Sequence, residues 1–462
     1  MTTLLGSQTT PGVHSPSKSG PNSENFRYSM VDFPSTLDLI ASNNAFYWTK
    51  MIDLSSQLSP AVQQYNAENP DKAIRILGKA EFNNPGMSHK DRIAKRMLEC
   101  AVEQKELQPG QTIIAASSGN TGASLALVGQ QMGYPVVIIT DSKCSTEKKA
   151  AIRSYGAELW VLYKGFDVAD GISKLQIDET NATSVSLRNQ LHQKVLSEKL
   201  KDPRYKCDYM KIESYAKEMD PKNYFSAAQY DNHENLVAHY ESTGHEIFLQ
   251  TAKRVTHFVM AASTGGTVMG VGKTLKESKP SVKILLSDPK FSRLYAYWQQ
   301  QANPEFNMQE HIDLLDQEIS ERKSKLPSGH DRVDVMVEGA GKGRPTVVMM
   351  ESDRVLPTVD DVVVVEDIDA FAQCRKLADD LGLLVGGSAG LNIAAASKVA
   401  DDILAHRLTS CQEFQESIIV TLLCDHGIKY LSKIYNDSWL SQNFTETELL
   451  SNSWLAKKMG RS

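Results

Sequence analysis

Three times along this chain an apolar run ends in a cluster of Gly, Ser and Thr and opens directly into a helical pattern. This happens at 112–132 (TIIAA, SSGNTG, ASLALVGQQM), at 256–277 (through STGGT) and at 383–405 (through GGSAG). A strand that feeds straight into a helix returns by a crossover, and strands joined by crossovers lie parallel. Further strand patterns fall at 74–82, 136–140, 158–162, 282–287, 362–365 and 417–423, with helical patterns at 91–107, 147–155, 291–301 and 370–381. In the segment DRIAKRMLECAVEQKEL, Ile93, Met97 and Ala101 recur every four residues, which is one face of a helix. The alternation predicts an α/β fold of two lobes, each with a mainly parallel sheet flanked by helices.

The alternation lapses in two places. Over 163–225 the pattern predicts a surface insertion, packed by one helix face bearing Leu187, Leu191 and Val195 and followed by a charged loop, KDPRYKCDYMK. Residues 303–332 are polar and read as an irregular excursion. The resulting map is a disordered tail (1–28), an N-terminal segment joining the larger lobe (29–85), a smaller mobile lobe (86–225), a larger lobe (226–445) and a C-terminal tail (446–462).

Composition removes several function classes. Fifty Lys and Arg against 56 Asp and Glu leave a net charge of −6 with the signs interspersed, whereas a nucleic-acid binder needs a basic stripe. No run of about 18 apolar residues is present to span a membrane. The six cysteines (Cys100, Cys144, Cys207, Cys374, Cys411 and Cys424) form no C-x-x-C pair and read as reduced thiols of a cytoplasmic protein, with no metal site. The start is Ser/Thr-rich with no acid before Glu24, a faint organelle-import signal that its lack of Arg opposes.

The small-residue loops are where chemistry concentrates. A strand that opens into a helix leaves unpaired N–H groups at a positive terminus, which suits an anion. In STGGT (Ser263, Thr264, Gly265, Gly266, Thr267) two glycines allow close backbone approach and three hydroxyls add donors. The alternative is a plain strand–helix turn with Thr as cap. The nearby VGKT is no P-loop, because Thr267 stands where the leading Gly belongs. Asn120 in SSGNTG and Ser388 in GGSAG are each either a ligand-facing side chain or a helix cap. The three loops are expected to end strands of one sheet, the edge where open α/β sheets bind ligands. Lys90, in SHKDR, sits at a helix start, where the dipole disfavours a cation; it is either a surface lysine or an amine able to form a Schiff base.

These pieces, in this order, resemble the pyridoxal-phosphate family of cysteine synthase and cystathionine β-synthase from about Ile76 to Tyr430. EFNNPGMSHKDR is similar to its lysine segment, SSGNTGASLALVG to its asparagine loop, QYDNHENLVAHYESTGHEIF to the segment ahead of its phosphate loop, STGGTVMGVGKTLKE to that loop, and GLLVGGSAGLNIAAA to its serine loop. The resemblance implies pyridoxal 5′-phosphate held in the cleft between the lobes and joined to Lys90 as a Schiff base. Asn120 would bond the ring oxygen, Ser263, Thr264, Gly265, Gly266 and Thr267 the phosphate, and Ser388 the pyridine nitrogen. Ser117, Ser118, Gly119 and Thr121 would take the substrate carboxylate, with Gln229 on the substrate's other side.

The implied activity is β-replacement on serine or an O-activated serine, with a thiol or sulfide as nucleophile, in a homodimer. The alternatives are β-elimination (serine/threonine ammonia-lyase or cysteine desulfhydrase type) and a regulatory homologue of reduced activity. The chain departs from the family pattern at His89, at Ser263 and in GAGKGRP (339–345), whose Lys342 and Arg344 either meet an acidic second substrate or belong to a solvated loop.

Overall fold

The computed structural model describes residues 35–117, 119–141, 144–162, 182–201, 209–326 and 334–461. The expected tail at 1–28, Ser118, Cys207 and the stretches 163–181 and 202–208 of the insertion lie outside the described residues. Residues Thr36–Ser462 form one compact unit.

Twelve strands build two main sheets and a ribbon among the described residues. They are β1 (Met51–Asp53), β2 (Ile74–Ala80), β3 (Thr112–Ala116), β4 (Val136–Asp141), β5 (Glu158–Leu162), β6 (Tyr224–Ser226), β7 (His257–Ala261), β8 (Lys283–Pro289), β9 (Met350–Glu351), β10 (Arg354–Val355), β11 (Asp361–Val365) and β12 (Ser417–Leu423). The larger sheet has the order β1-β2-β12-β7-β8-β11 and the smaller β5-β4-β3-β6, while β9 and β10 pair alone. Only β1 runs antiparallel in the large sheet, and the small sheet is wholly parallel. The expected α/β architecture is therefore present.

Parallel sheets require cover on both faces, because crossover helices lie on each side. Along β7, β8 and β12, Val259, Leu285 and Ile419 enter one core with Phe371, Ala396 and Val399, whereas Phe258, Ile284 and Ile418 enter another with Val268, Val271 and Leu275. Helix Lys90–Glu103 packs Ile93, Met97 and Ala101 into the core of the small sheet, as their spacing requires. Leu187, Leu191 and Val195 of helix Ala182–Lys201 are buried with Trp160 and Ile212 on that sheet's other face.

Several expectations are corrected. The described part of 303–332 is mostly regular: Met308–Lys325 is a helix capped by Asn307, and its narrow stripe of Ile312 and Leu315 is too sparse to stand out among charges; 327–332 lie outside the described residues. Part of the supposed charged loop begins helix Tyr209–Met219, and Tyr224–Ser226 is a strand beside β3, too short to show a period. Residues 446–458 form two short helices whose Leu449 and Leu455 enter the main core, so the segment is packed rather than trailing. Leu383–Val385 is no sheet strand; Val385 makes one isolated bridge to His426. The three loops consequently do not end strands of one sheet. SSGNTG follows β3, STGGT follows β7 in the other sheet, and GGSAG follows that bridge.

The chain leaves β3 for β4 on one side and returns to β6 on the other, and β12 likewise inserts between β7 and β2. Strand order reverses at both places, and a crevice opens beyond the carboxyl ends of such strands.

Candidate active site

The sequence KDR sends three neighbouring side chains in three directions. Lys90 begins helix Lys90–Glu103 and lines a cleft of about 360 Å³. Asp91, buried, accepts from Ser124 Oγ (2.6 Å) and Gly86 N (2.6 Å) and so ties the helix to Asn120–Gln131. Arg92, also buried, reaches Glu81 (2.8 Å) and Glu246 (2.5 Å), and Glu246 also takes Lys79 (2.7 Å). The helix start that carries Lys90 is thus anchored on both flanks, which restricts its amine to the cleft. Burial pushes that amine down to about 8 from 10.5; Lys342 acts in the same sense, while Cys424 and Asp425 oppose it.

His89 is bonded through N (2.9 Å) and Nδ1 (3.1 Å) to the carbonyl of Cys424. Its ring lies 5.9 Å from that of His239, whose Nε2 meets Thr267 Oγ1 at 3.1 Å. Burial lowers His89 to about 3 and His239 well below its ordinary value, so both are neutral. A small apolar side chain at 89 would leave that ring stack unmade.

The STGGT turn is shaped by its glycines. Gly265 has φ +90°, and a Cβ there would stand 2.3 Å from Met349 Cγ. Gly266 opens helix Gly266–Ser278, and its added Cβ would meet Asn235 Oδ1 at 2.1 Å. Ser388 is the second residue of helix Gly387–Thr409, and its hydroxyl contacts the Cys424 thiol. Asn120 gives Nδ2–H to Asp425 Oδ2 (2.7 Å) and accepts from Lys429 Nζ at Oδ1 (2.9 Å).

Nine of the anticipated residues line the one cleft: Lys90, Ser117, Gly119, Asn120, Thr121, Gln229, Ser263, Thr264 and Ser388. Gly265, Gly266 and Thr267 belong to the same turn but do not line the cleft, and Ser118 is outside the described residues. Lys342 enters the cleft with its amine 4.1 Å from the Tyr230 ring centroid, and burial lowers it to about 8. Arg344 is exposed and is not part of the wall.

Sequence reasoning passed over Lys148, Glu338, Asp425, Lys429 and Tyr430. Against the cost of burial, Lys148 (2.6 Å) and Lys433 (2.5 Å) hold Glu338 at about 2. One signal was available for Asp425: an acid two residues beyond a strand whose seven residues are all buried, at the end where ligands bind.

Residues 60–425 match the family described as "Pyridoxal-phosphate dependent enzyme". The chain belongs to this family. Cysteine synthase 2 of Schizosaccharomyces pombe is 31% identical over 368 residues, covering 79% of this chain and 78% of that protein. Cysteine synthase 1 of Neurospora crassa is 30% identical over 379 residues, 82% of this chain and 81% of that protein. Cystathionine beta-synthase of Oryctolagus cuniculus is 32% identical over 383 residues, 81% of this chain but only 54% of that protein, so the chain spans about half its length. The crystal structure of O-ureido-L-serine synthase shares the fold, with a TM-score of 0.57 at 24% identity over 88% of this chain and 99% of that one.

A pyridoxal-phosphate enzyme needs an amine for the aldehyde, a polar partner for the ring oxygen, a partner for the ring nitrogen and an anion cradle. The donor set here fits. Lys90 offers an amine, and Asn120 and Ser388 offer polar groups, in the same wall. The turn closed by Gly265 and Gly266 brings backbone N–H groups to a helix start beside two hydroxyls.

Proposed function

We propose that this chain catalyses β-replacement on serine or an O-activated serine with a sulfur nucleophile, a thiol or sulfide. The observation that carries the reading is an amine lowered to about 8 in a cleft that also holds an asparagine turn, a hydroxyl-rich anion turn and a lone serine hydroxyl. The names of the cysteine synthase and cystathionine beta-synthase relatives support it.

Pyridoxal phosphate, when bound, supplies the aldehyde and the conjugated ring that takes up the electron pair released at the substrate Cα. Everything else falls to the chain. Lys90 Nζ is the covalent attachment point and afterwards the base that accepts the α-proton and returns it. Ser117, Gly119 and Thr121, around the start of helix Asn120–Gln131, together with Ser118, bind the α-carboxylate. Asn120 bonds the ring oxygen, and Ser263 to Thr267 hold the phosphate. Ser388 offers a neutral hydroxyl where a carboxylate would keep the ring nitrogen protonated, which limits charge spreading and favours loss of the β-substituent. Gln229 Nε2 donates to the carbonyl of Ala116 (3.3 Å), which places its amide beside the carboxylate turn.

No carboxylate partner offsets the burial of Lys342 among the described residues, and an ammonium in a cleft is costly unless an anion joins it. That supports a reaction partner carrying a second negative group. The same reading makes 86–225 a smaller lobe that moves against 226–445, and makes the protein a cytoplasmic homodimer; the family resemblance supports the pairing and the free thiols the compartment.

Titrating the purified holoenzyme with serine, O-acetylserine, O-phosphoserine and cysteine tests the proposal. A shift of the visible band that a thiol or sulfide reverses, with a new thioether or cysteine as product, is expected. A band that no β-substituted amino acid moves refutes it, and pyruvate released without added thiol assigns elimination instead.

A further inference from the structure

We propose that Asp425 and Lys429 act as a charged clamp that fixes the side-chain amide of Asn120 from opposite ends and so sets it as a hydrogen-bond donor toward the cofactor. The inference rests on the reading of Asn120 as the partner of the ring oxygen. The two ends of a carboxamide have almost the same shape, and only their partners decide which way it faces. Asp425 can only accept, and it takes Nδ2–H at 2.7 Å. Lys429 can only donate, and it gives to Oδ1 at 2.9 Å. A flipped amide would press Oδ1 against a carboxylate oxygen and NH2 against an ammonium, so both contacts would turn repulsive together.

The clamp is itself held. Lys429 is buried, and its Nζ also donates to the carbonyl of Gly86 (2.8 Å), in the turn that leads into Lys90. Asp425 is fully buried, and its Oδ2 accepts a second bond from the Tyr430 hydroxyl (2.7 Å), while Oδ1 has no partner. A Cβ on Gly386 would stand 2.1 Å from that Oδ1, so the start of helix Gly387–Thr409 closes the carboxylate in. The three segments that carry Lys90, Asn120 and Ser388 therefore converge on this one pair. An NH2 group has two hydrogens, and Asp425 takes one. The Tyr430 hydroxyl also touches Asn120, and a ring oxygen in the cleft would share the second hydrogen with it. A cation at Oδ1 draws charge from the amide and strengthens that remaining donor.

Asp425 and Lys429 are thus positioning residues acting through Asn120. The experiment compares holoenzyme carrying Lys429→Met, Lys429→Arg, Asp425→Asn or Asn120→Ala, and the first and third each combined with Asn120→Ala. The readouts are the pyridoxal-phosphate dissociation constant, the visible spectrum and melting temperature. In the Asn120 background, Lys429→Met is expected to weaken cofactor binding about tenfold, the value of one well-aligned hydrogen bond, and to move intensity from the visible to the near-ultraviolet band. Lys429→Arg restores most of both, and Asp425→Asn weakens binding in the same direction. With Ala at 120, neither substitution has a further effect, because the group they act through is gone. Equal losses with and without Asn120, or a lower melting temperature with an unchanged spectrum and dissociation constant, overturn the clamp. A wild-type protein that takes up no cofactor overturns the reading beneath it, and this is seen before any variant is made.

Discussion

The rate at which cofactor-free protein captures pyridoxal phosphate should bend near pH 8. Capture needs a neutral Lys90 amine, since an ammonium has no lone pair for the aldehyde. Burial lowers this amine to about 8. At pH 7 about one molecule in ten then carries a free amine, against about one in three thousand for a lysine at its ordinary value of 10.5. The rate, followed by growth of the visible band in stopped flow, should rise about tenfold between pH 6 and pH 7 and become nearly level between pH 9 and pH 10. The sign follows from the direction of the shift: a lowered lysine loses its proton earlier, so the plateau moves to lower pH. Lys342→Met removes a neighbouring cation and should move the bend upward. A rate that still climbs about eightfold between pH 9 and pH 10 would mean that Lys90 titrates as a solvent-exposed lysine at its ordinary value of 10.5, and the burial argument would fail.

Other substitutions probe the scaffold and the specificity. Arg92→Met leaves Glu81 buried with only its hydrogen bonds from Thr49 and Asn84, while Glu246 keeps Lys79; the expected loss in urea unfolding is about 3–5 kcal/mol, and a loss below about 1 kcal/mol would contradict it. Gly265→Ala combines φ +90° with a methyl 2.3 Å from Met349 Cγ and should cost about 1–3 kcal/mol together with cofactor affinity. Adding Met349→Ala should relieve the clash but not the backbone strain, and full recovery would show that the left-handed turn matters little. Lys342→Met should raise KM for O-phosphoserine several-fold more than for O-acetylserine; equal changes for the two would remove Lys342 from substrate selection.

Much of the fold was legible because its signals are local. The strands Thr112–Ala116, Glu158–Leu162 and Ser417–Leu423 are short apolar runs bounded by breakers, and their limits can be read from the residues. Helix Met308–Lys325 and strand Tyr224–Ser226 were not, since one shows a two-residue apolar stripe and the other spans three residues. Residues 383–385 look like a buried strand because the chain there is apolar, but sheet membership depends on having a neighbour at hydrogen-bond distance, and only Val385 is buried.

The site divides along the same line. Local composition marked Lys90, Asn120, Ser388 and the 263–267 turn, because glycines, hydroxyls and a cation at helix starts have meaning without knowledge of neighbours. Sheet membership, the approach of His89 to His239, the Arg92 ion network, the entry of Lys342 into the cleft and the Asp425–Asn120–Lys429 contact were decided only in three dimensions. Each joins groups far apart along the chain, Asn120 and Asp425 being 305 positions apart. A charge in a sequence does not say which charge it will meet; that is set by which strand ends the two sheets bring together.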